Sequence, residues 1–217
     1  MKILGIDEAG RGCVIGPLVM CGFEVDEDDA IFEQVKSQLK DSKQLSKKRR
    51  ERLHDFLTNK IKAKVIMQIV HPAELNRQMD DISLNDIEEK CALNIVSSSN
   101  TDEVYIDCFS VKKNFREDFI KKANTDKKFF IEFKADSTYK IVSAASIVAK
   151  VTRDSYIEKI NEKYSKMGFV VGSGYPADKI TILFLKHYFE KFKKMPEEVR
   201  TKWKTVQNIK QKNIFDF

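Results

Sequence analysis

Four carboxylates stand where they could share hard cations. Asp7 and Glu8 sit side by side after the apolar run Ile3–Ile6, Asp107 closes Tyr105-Ile-Asp107, and Asp136 follows shortly after Phe129–Phe133. An acid after one buried strand is ordinarily just its first solvated residue. Three such strand ends in one chain, one of them with two adjacent acids that repel unless a cation or water shields them, point instead to metal binding. Oxygen donors without thiolate or imidazole partners select Mg2+ or Mn2+ over zinc or copper. Two such ions about 3.5–4 Å apart would activate a water on one side of a phosphodiester and stabilise the departing oxygen on the other. No protein nucleophile is then needed, and the chain offers no G-x-S-x-G elbow; His54, His71 and His187 lack a triad setting and read as surface or packing residues.

The elements that must position these acids alternate. Lys2–Ile6 and Pro17–Val25 read as strands joined by a connection holding Gly10, Gly12 and Gly16, so something large is expected to lie against that connection. A helix opens at Ser46 and runs to about Lys62, followed by a strand, Ala63–Val70, and a helix capped by Ser83 that runs to Ser98. Glu103–Asp107 is a strand, Lys112–Asn124 a helix and Lys128–Phe133 a strand. A long helix from Tyr139 to about Lys166 carries Ser143, Ala144, Ala145, Ser146 and Ala149, small enough to pack closely on a sheet. After the Gly172–Pro176 turn come an amphipathic helix, Ile180–Lys194, and a short turn of helix from Pro196. The fold class is α/β, a mixed sheet flanked by helices, with Asp7, Asp107 and Asp136 converging beyond the carboxyl ends of its strands.

The 217 residues, 42% hydrophobic and 33% charged, suit one main core, and no run of about 20 apolar residues suggests a membrane span. Residues 1–6 are too short for a signal peptide, and a cytoplasmic protein is expected. Cys13, Cys21, Cys91 and Cys108 form no C-x-x-C pair, and Cys21 and Cys91 read as apolar filler. The net charge of +6 is concentrated late: from Ile180 onward there are nine Lys or Arg against four acids. A basic face beside an acidic cluster suits a polyanion held by its phosphates, although a lysine-rich solvated surface gives the same count.

Gly5-Ile-Asp-Glu-Ala-Gly-Arg-Gly-Cys-Val-Ile-Gly-Pro17 closely resembles the opening motif of the ribonuclease HII family, G-x-D-E-A-G-R-G-P-x-x-G-P. Asp41-Ser-Lys-Gln-Leu45, Tyr105-Ile-Asp107, Lys134-Ala-Asp136, Ser143–Asp154 and Gly172-Ser-Gly-Tyr-Pro176 match further family motifs in order, and the last of these and the length look archaeal. The resemblance implies a ribonuclease H-like five-stranded mixed sheet in residues 1–178, and a helical C-terminal extension in 179–217. It implies a metal site of Asp7, Glu8, Asp107 and Asp136 binding Mg2+ or Mn2+, and hydrolysis of RNA–DNA hybrids, or of DNA at embedded ribonucleotides, to a 3′-hydroxyl and a 5′-phosphate. Roles in ribonucleotide excision and RNA primer removal would follow. Gly10-Arg11-Gly12 would touch a ribose 2′-hydroxyl, with Arg11 on a phosphate, and Tyr175 would stack on the sugar at an RNA–DNA junction. Lys43 is expected to hold a backbone phosphate. Cys13 replaces the usual proline, so its turn is expected to be looser; Cys108-Phe109 also departs from the pattern, and Lys179 stands where relatives often have proline.

The last seven residues resemble the motif that docks on the sliding clamp PCNA, with Gln211, Ile214 and Phe217 in its key places and the second aromatic missing. The same apolar residues could instead fold back on their own domain. Two other functions are open at this point: a DNA nuclease or resolvase on the same fold, and a non-enzymatic nucleic-acid adaptor recruited through the tail. Nothing requires more than a monomer.

Overall fold

The computed structural model describes residues 1–39 and 45–212. Its sheet contains β1 (Lys2–Ala9), β2 (Leu18–Asp26), β3 (Lys64–Val70), β4 (Glu103–Asp107) and β5 (Lys128–Glu132), in the order β3-β2-β1-β4-β5. β1 pairs antiparallel with β2 and parallel with β4, and β4 pairs parallel with β5. The expected five-stranded mixed sheet is therefore present, with β1 at its centre. The helices are α1 (Ala30–Lys36), α2 (Lys47–Asn59), α3 (Pro72–Gln78), α4 (Leu84–Ser98), α5 (Phe115–Ala123), α6 (Ala135–Thr138), α7 (Lys140–Ser165), α8 (Lys179–Phe192) and α9 (Lys204–Lys212). Among the described residues no helix is long and apolar enough to cross a membrane.

The described residues pack as two compact units. One is drawn from Met1–Ala9, Val19–Gln68 and Asn85–Val151, the other from Gly10–Leu18, Ile69–Leu84 and Thr152–Phe217.

The first unit holds the sheet. A strand presents successive side chains to opposite faces, and two glycines show what covers each. A Cβ at Gly5 would lie 2.3 Å from the Ile141 carbonyl oxygen, so α7 packs directly on the backbone of β1. A Cβ at Gly22, the cross-strand partner of Ile6, would lie 2.3 Å from Ile95 of α4. Hence α7 covers the face shared by Gly5 and Asp7, and α4 the face shared by Leu4 and Ile6. The close approach uses the small residues expected of α7: Ser143, Ala144, Ala145, Ser146 and Ala149 are all buried.

The second unit has its own core, in which Val14 and Ile15 pack with Ile157, Tyr164, Val171, Phe184, Tyr188 and Val206. Rings of Tyr164, Phe169, Phe184, Tyr188 and Phe192 contact one another there at 4.6–6.2 Å between centroids. Asp178 caps α8, its side chain accepting the Ile180 N–H, so Lys179 begins that helix without difficulty. Pro196 starts no helix; the chain turns there, and Val199 bridges to Ile15 before α9 begins at Lys204.

Candidate active site

The acids are set by the register of the sheet. Ile6 pairs with Ile106 across the parallel β1–β4 ladder, and Asp7 and Asp107 are the next residues along each strand. β5 ends one turn before Asp136, which α6 carries. Lys134 takes the left-handed conformation (φ 59°), a backbone that L residues seldom adopt, and thereby turns the chain from β5 into α6. The Ala135 N–H then donates to Asp107 Oδ1 at 2.9 Å, and the Ser143 hydroxyl donates to the Asp136 carbonyl. One carboxylate oxygen from each of Asp7, Asp107 and Asp136 lies within 4.8 Å of the other two.

Burial makes this cluster electrically uncomfortable. Asp7 is 5% and Asp136 3% exposed. Loss of water around Asp7, with the Asp107 and Asp136 charges adding to it, pushes its pKa up to about 7, against the opposing pull of hydrogen bonds from Ser146 and the Glu8 N–H. Three buried or half-buried carboxylates, one resisting ionisation, form an all-oxygen set that a hard divalent cation would neutralise. Glu8 is placed differently. β1 continues through Ala9 rather than ending at Ile6, because Val19–Cys21 of β2 extend the ladder, so strand alternation sends Glu8 to the opposite face from Asp7. Its carboxylate, like that of Asp107, acts on the Cys108 thiol, whose pKa is raised chiefly by burial.

The Gly10–Leu18 segment, in the second unit, is tightly held. Gly10 has φ +83°, and a Cβ there would meet the Pro17 carbonyl oxygen at 2.7 Å. Gly12 has open space within 4 Å of a would-be Cβ, so nothing in the protein's own packing requires a glycine. The N–H groups of Val14 and Ile15 both donate to the Gly174 carbonyl, at 2.8 and 3.2 Å, which ties this segment to the residue before Tyr175. Arg200, fully buried, donates from Nε to the Gly16 carbonyl (2.9 Å) and from Nη1 to the Arg11 carbonyl (3.1 Å). Arg153, also buried, lies with its guanidinium 4.6 Å from the Tyr175 ring centroid and donates to the Ser173 carbonyl at 2.5 Å. Arg11 and Gly12 are exposed and Tyr175 is half-buried. Of the remaining predicted residues, Gln211 is exposed at the end of α9, while Lys43, Ile214 and Phe217 lie outside the described residues.

The family model for ribonuclease HII matches residues 4–206. The chain belongs to the ribonuclease HII family. It is 43% identical to the ribonuclease HII of Methanocaldococcus jannaschii, over 98% of this chain and 96% of that one. In structure it is similar to the ribonuclease H2 of Pyrococcus horikoshii, with a TM-score of 0.88 and 35% identity over the full length of both chains. It is also similar to a solved complex of PCNA with the Archaeoglobus fulgidus ribonuclease HII, with a TM-score of 0.82 and 35% identity over 94% of this chain and 96% of that one. The fold is thus ribonuclease H-like, and the protein is a hydrolase of ribonuclease H type II, an RNA–DNA hybrid endonuclease.

Against the ribonuclease HII pattern, two residues escaped the sequence reading. Arg200 counted there as part of a basic surface, yet it is a buried clamp on backbone carbonyls. Arg153 lay inside a matched motif without a role. For Arg153 the clue available was its place after the largely apolar run that ends at Val151; Arg200, two residues before Lys202 and four before Lys204, offered none. Cys13, expected to loosen its turn, is fully buried in a turn held by backbone hydrogen bonds.

Proposed function

We propose that this ribonuclease HII cleaves the RNA strand of RNA–DNA hybrids, and DNA at embedded ribonucleotides, with Asp7, Glu8, Asp107 and Asp136 as its catalytic carboxylates. The observation that carries this reading is the meeting of Asp7, Asp107 and Asp136 within 4.8 Å, from three elements distant in sequence. The cluster fits Mg2+ or Mn2+ by donor type. When bound, a pair of such ions would polarise the phosphodiester and ease deprotonation of the attacking water, leaving a 3′-hydroxyl and a 5′-phosphate. The chain's own part is to hold the oxygens in place. Ala135 fixes one oxygen of Asp107, the Glu8 N–H and Ser146 fix Asp7, and the Ser143 hydroxyl fixes the backbone at Asp136. Glu8 would supply the fourth carboxylate: it leaves the strand on the other face, but its carboxylate, like that of Asp107, acts on the neighbouring Cys108 thiol.

Recognition of RNA falls to Gly10, Arg11, Gly12 and Tyr175. An exposed Gly12 that the fold does not need leaves backbone open to a ribose 2′-hydroxyl, Arg11 would pair with phosphate, and Tyr175 would stack on the sugar. Lys43 would hold phosphate nearer the N-terminus of α2 in the sequence. Residues 1–178 would carry the chemistry and 179–217 extend it, with Gln211, Ile214 and Phe217 docking on PCNA as a clamp-bound monomer; the Archaeoglobus relative solved with PCNA supports this partner. Ribonucleotide excision and primer removal in the cytoplasm would be the resulting roles. The deciding assay incubates a DNA duplex holding one ribonucleotide, a uniform hybrid and an all-DNA duplex with Mg2+, Mn2+ or EDTA. Metal-dependent cutting of the first two alone supports the reading; cutting of all-DNA, or cutting in EDTA, overturns it.

A further inference from the structure

Cys13 has no counterpart in the family motif, where proline follows the G-R-G element, and its surroundings give the thiol something to do. Its turn does not rely on the side chain: the following two N–H groups bond the Gly174 carbonyl, and the Cys13 N–H, the bond a proline would forfeit, reaches the Gly10 carbonyl at 3.3 Å. The side chain is therefore not required to close the turn, yet it is wholly buried and surrounded by polar partners. Arg153 Nη2 donates to Cys13 Sγ at 2.9 Å, and the Tyr175 hydroxyl is hydrogen-bonded to the same thiol. The guanidinium that reaches the sulfur also lies over the Tyr175 ring.

Tyr175 is thus held at two places. Its ring face meets Arg153, an attraction of charge and quadrupole, and its hydroxyl meets a sulfur that Arg153 itself orients. Burial and the neighbouring thiol push the phenol up to about 12, so it keeps its proton and its donor capacity. We infer that Cys13 is a positioning residue for Tyr175, fixing the phenol through its hydroxyl, and that it thereby sets how strongly the enzyme favours an isolated ribonucleotide over a continuous hybrid. The second half rests on the proposed contact of Tyr175 with the sugar at an RNA–DNA junction. A continuous hybrid offers many registers, so a misplaced tyrosine matters less there; a single ribonucleotide offers one.

The test compares wild type with Cys13→Ser, Cys13→Ala, Cys13→Pro and Tyr175→Phe, all full length. Cleavage of a single-ribonucleotide duplex and of a uniform hybrid is measured for each, and 19F NMR of 3-fluorotyrosine protein reads Tyr175 directly, its resonance assigned by its loss in Tyr175→Phe. Loss of one hydrogen bond predicts that Cys13→Ala and Cys13→Pro lower kcat/KM on the single ribonucleotide roughly three- to tenfold, with a smaller fall on the hybrid. Serine, which keeps a donor and an acceptor, should restore the wild-type ratio of the two substrates. The Tyr175 resonance should move in the alanine and proline variants. An unmoved resonance overturns the inference whatever the activity, as does an equal fall on both substrates in Cys13→Ala that serine fails to rescue while Tyr175→Phe changes their ratio. If the resonance moves while Tyr175→Phe and Cys13→Ala both cut the two substrates in the wild-type ratio, the positioning holds and the sugar-sensing role of Tyr175 is what fails.

Discussion

Asp107 Oδ1 accepts the Ala135 N–H at 2.9 Å, so the last residue of β4 both faces Asp7 and anchors the turn that presents Asp136. One side chain thus serves geometry and chemistry together, and substitutions should separate the two. Asp107→Asn keeps an oxygen acceptor for Ala135 but removes the charge; it should fold normally and lose more than the roughly 10–100-fold in turnover that loss of an outer-shell metal partner brings. Asp107→Ala should be equally inactive and also less stable by about 1–3 kcal/mol, because the buried Ala135 N–H loses its partner. Cleavage assays and thermal melts read the two effects; an Asp107→Asn enzyme that still cuts with Mg2+ would refute the metal-site assignment.

The raised pKa of Asp7 has a definite sign for stability. Its value rises from 3.8 toward about 7 on folding, so between those limits the folded protein without metal binds more protons than the unfolded chain. Its contribution is therefore fully present below pH 3.8 and is lost as pH rises through about 7. At neutral pH, without metal, Asp7→Asn should melt higher than wild type by a few degrees, about 2–4 °C for each kcal/mol recovered. The gain should shrink toward pH 4 and should also shrink when Mg2+ or Mn2+ neutralises the wild-type cluster. A mutant that melts lower than wild type at pH 7 in EDTA would show that the cluster is not under charge strain.

How much of this could be read from the chain alone follows from what each residue interacts with. The acids were legible because short apolar runs stop at or just before them, and α7 because its small residues announce close packing. The extra length of β1 was not, since it depends on pairing with Val19–Cys21 across the ladder, and with it went the divergence of Glu8 from Asp7. α1 and α3 have seven residues each, too few for helical periodicity to stand out, although Asp29 as a cap and Pro72 at the helix start were signals in hindsight. Arg200 was misread because its partners are backbone carbonyls more than 180 positions away in sequence.

Two glycines two residues apart should behave oppositely. Gly10→Ala must hold φ +83° and press a methyl against the Pro17 carbonyl at 2.7 Å, so it should destabilise the protein by about 1–3 kcal/mol or more. Gly12→Ala meets nothing within 4 Å, and its stability should stay within about 0.5 kcal/mol of wild type. Its activity should nevertheless fall, because the methyl occupies space that the proposal gives to the ribose. Melting curves paired with cleavage of the single-ribonucleotide duplex decide the matter: a Gly12→Ala enzyme as stable and as active as wild type removes that segment from the recognition surface.

The tail can be tested without disturbing the rest of the chain, provided the cut is placed by burial. Val206 and Ile209 of α9 are buried in the core of the second unit, whereas Gln211 is exposed. A chain ending at Lys210 therefore keeps the apolar contacts of α9 and removes all three proposed clamp residues, Gln211, Ile214 and Phe217. It should melt close to wild type, since Val206 and Ile209 keep their places, and should cut both ribonucleotide substrates at the wild-type rate. On immobilised PCNA its binding should vanish, and Phe217→Ala in the full-length chain should weaken binding in the same direction, since a short docking segment draws most of its affinity from its apolar anchors. Full-strength PCNA binding by the truncated chain would place the clamp contact elsewhere, and a large fall in melting temperature would show instead that the tail packs on its own domain.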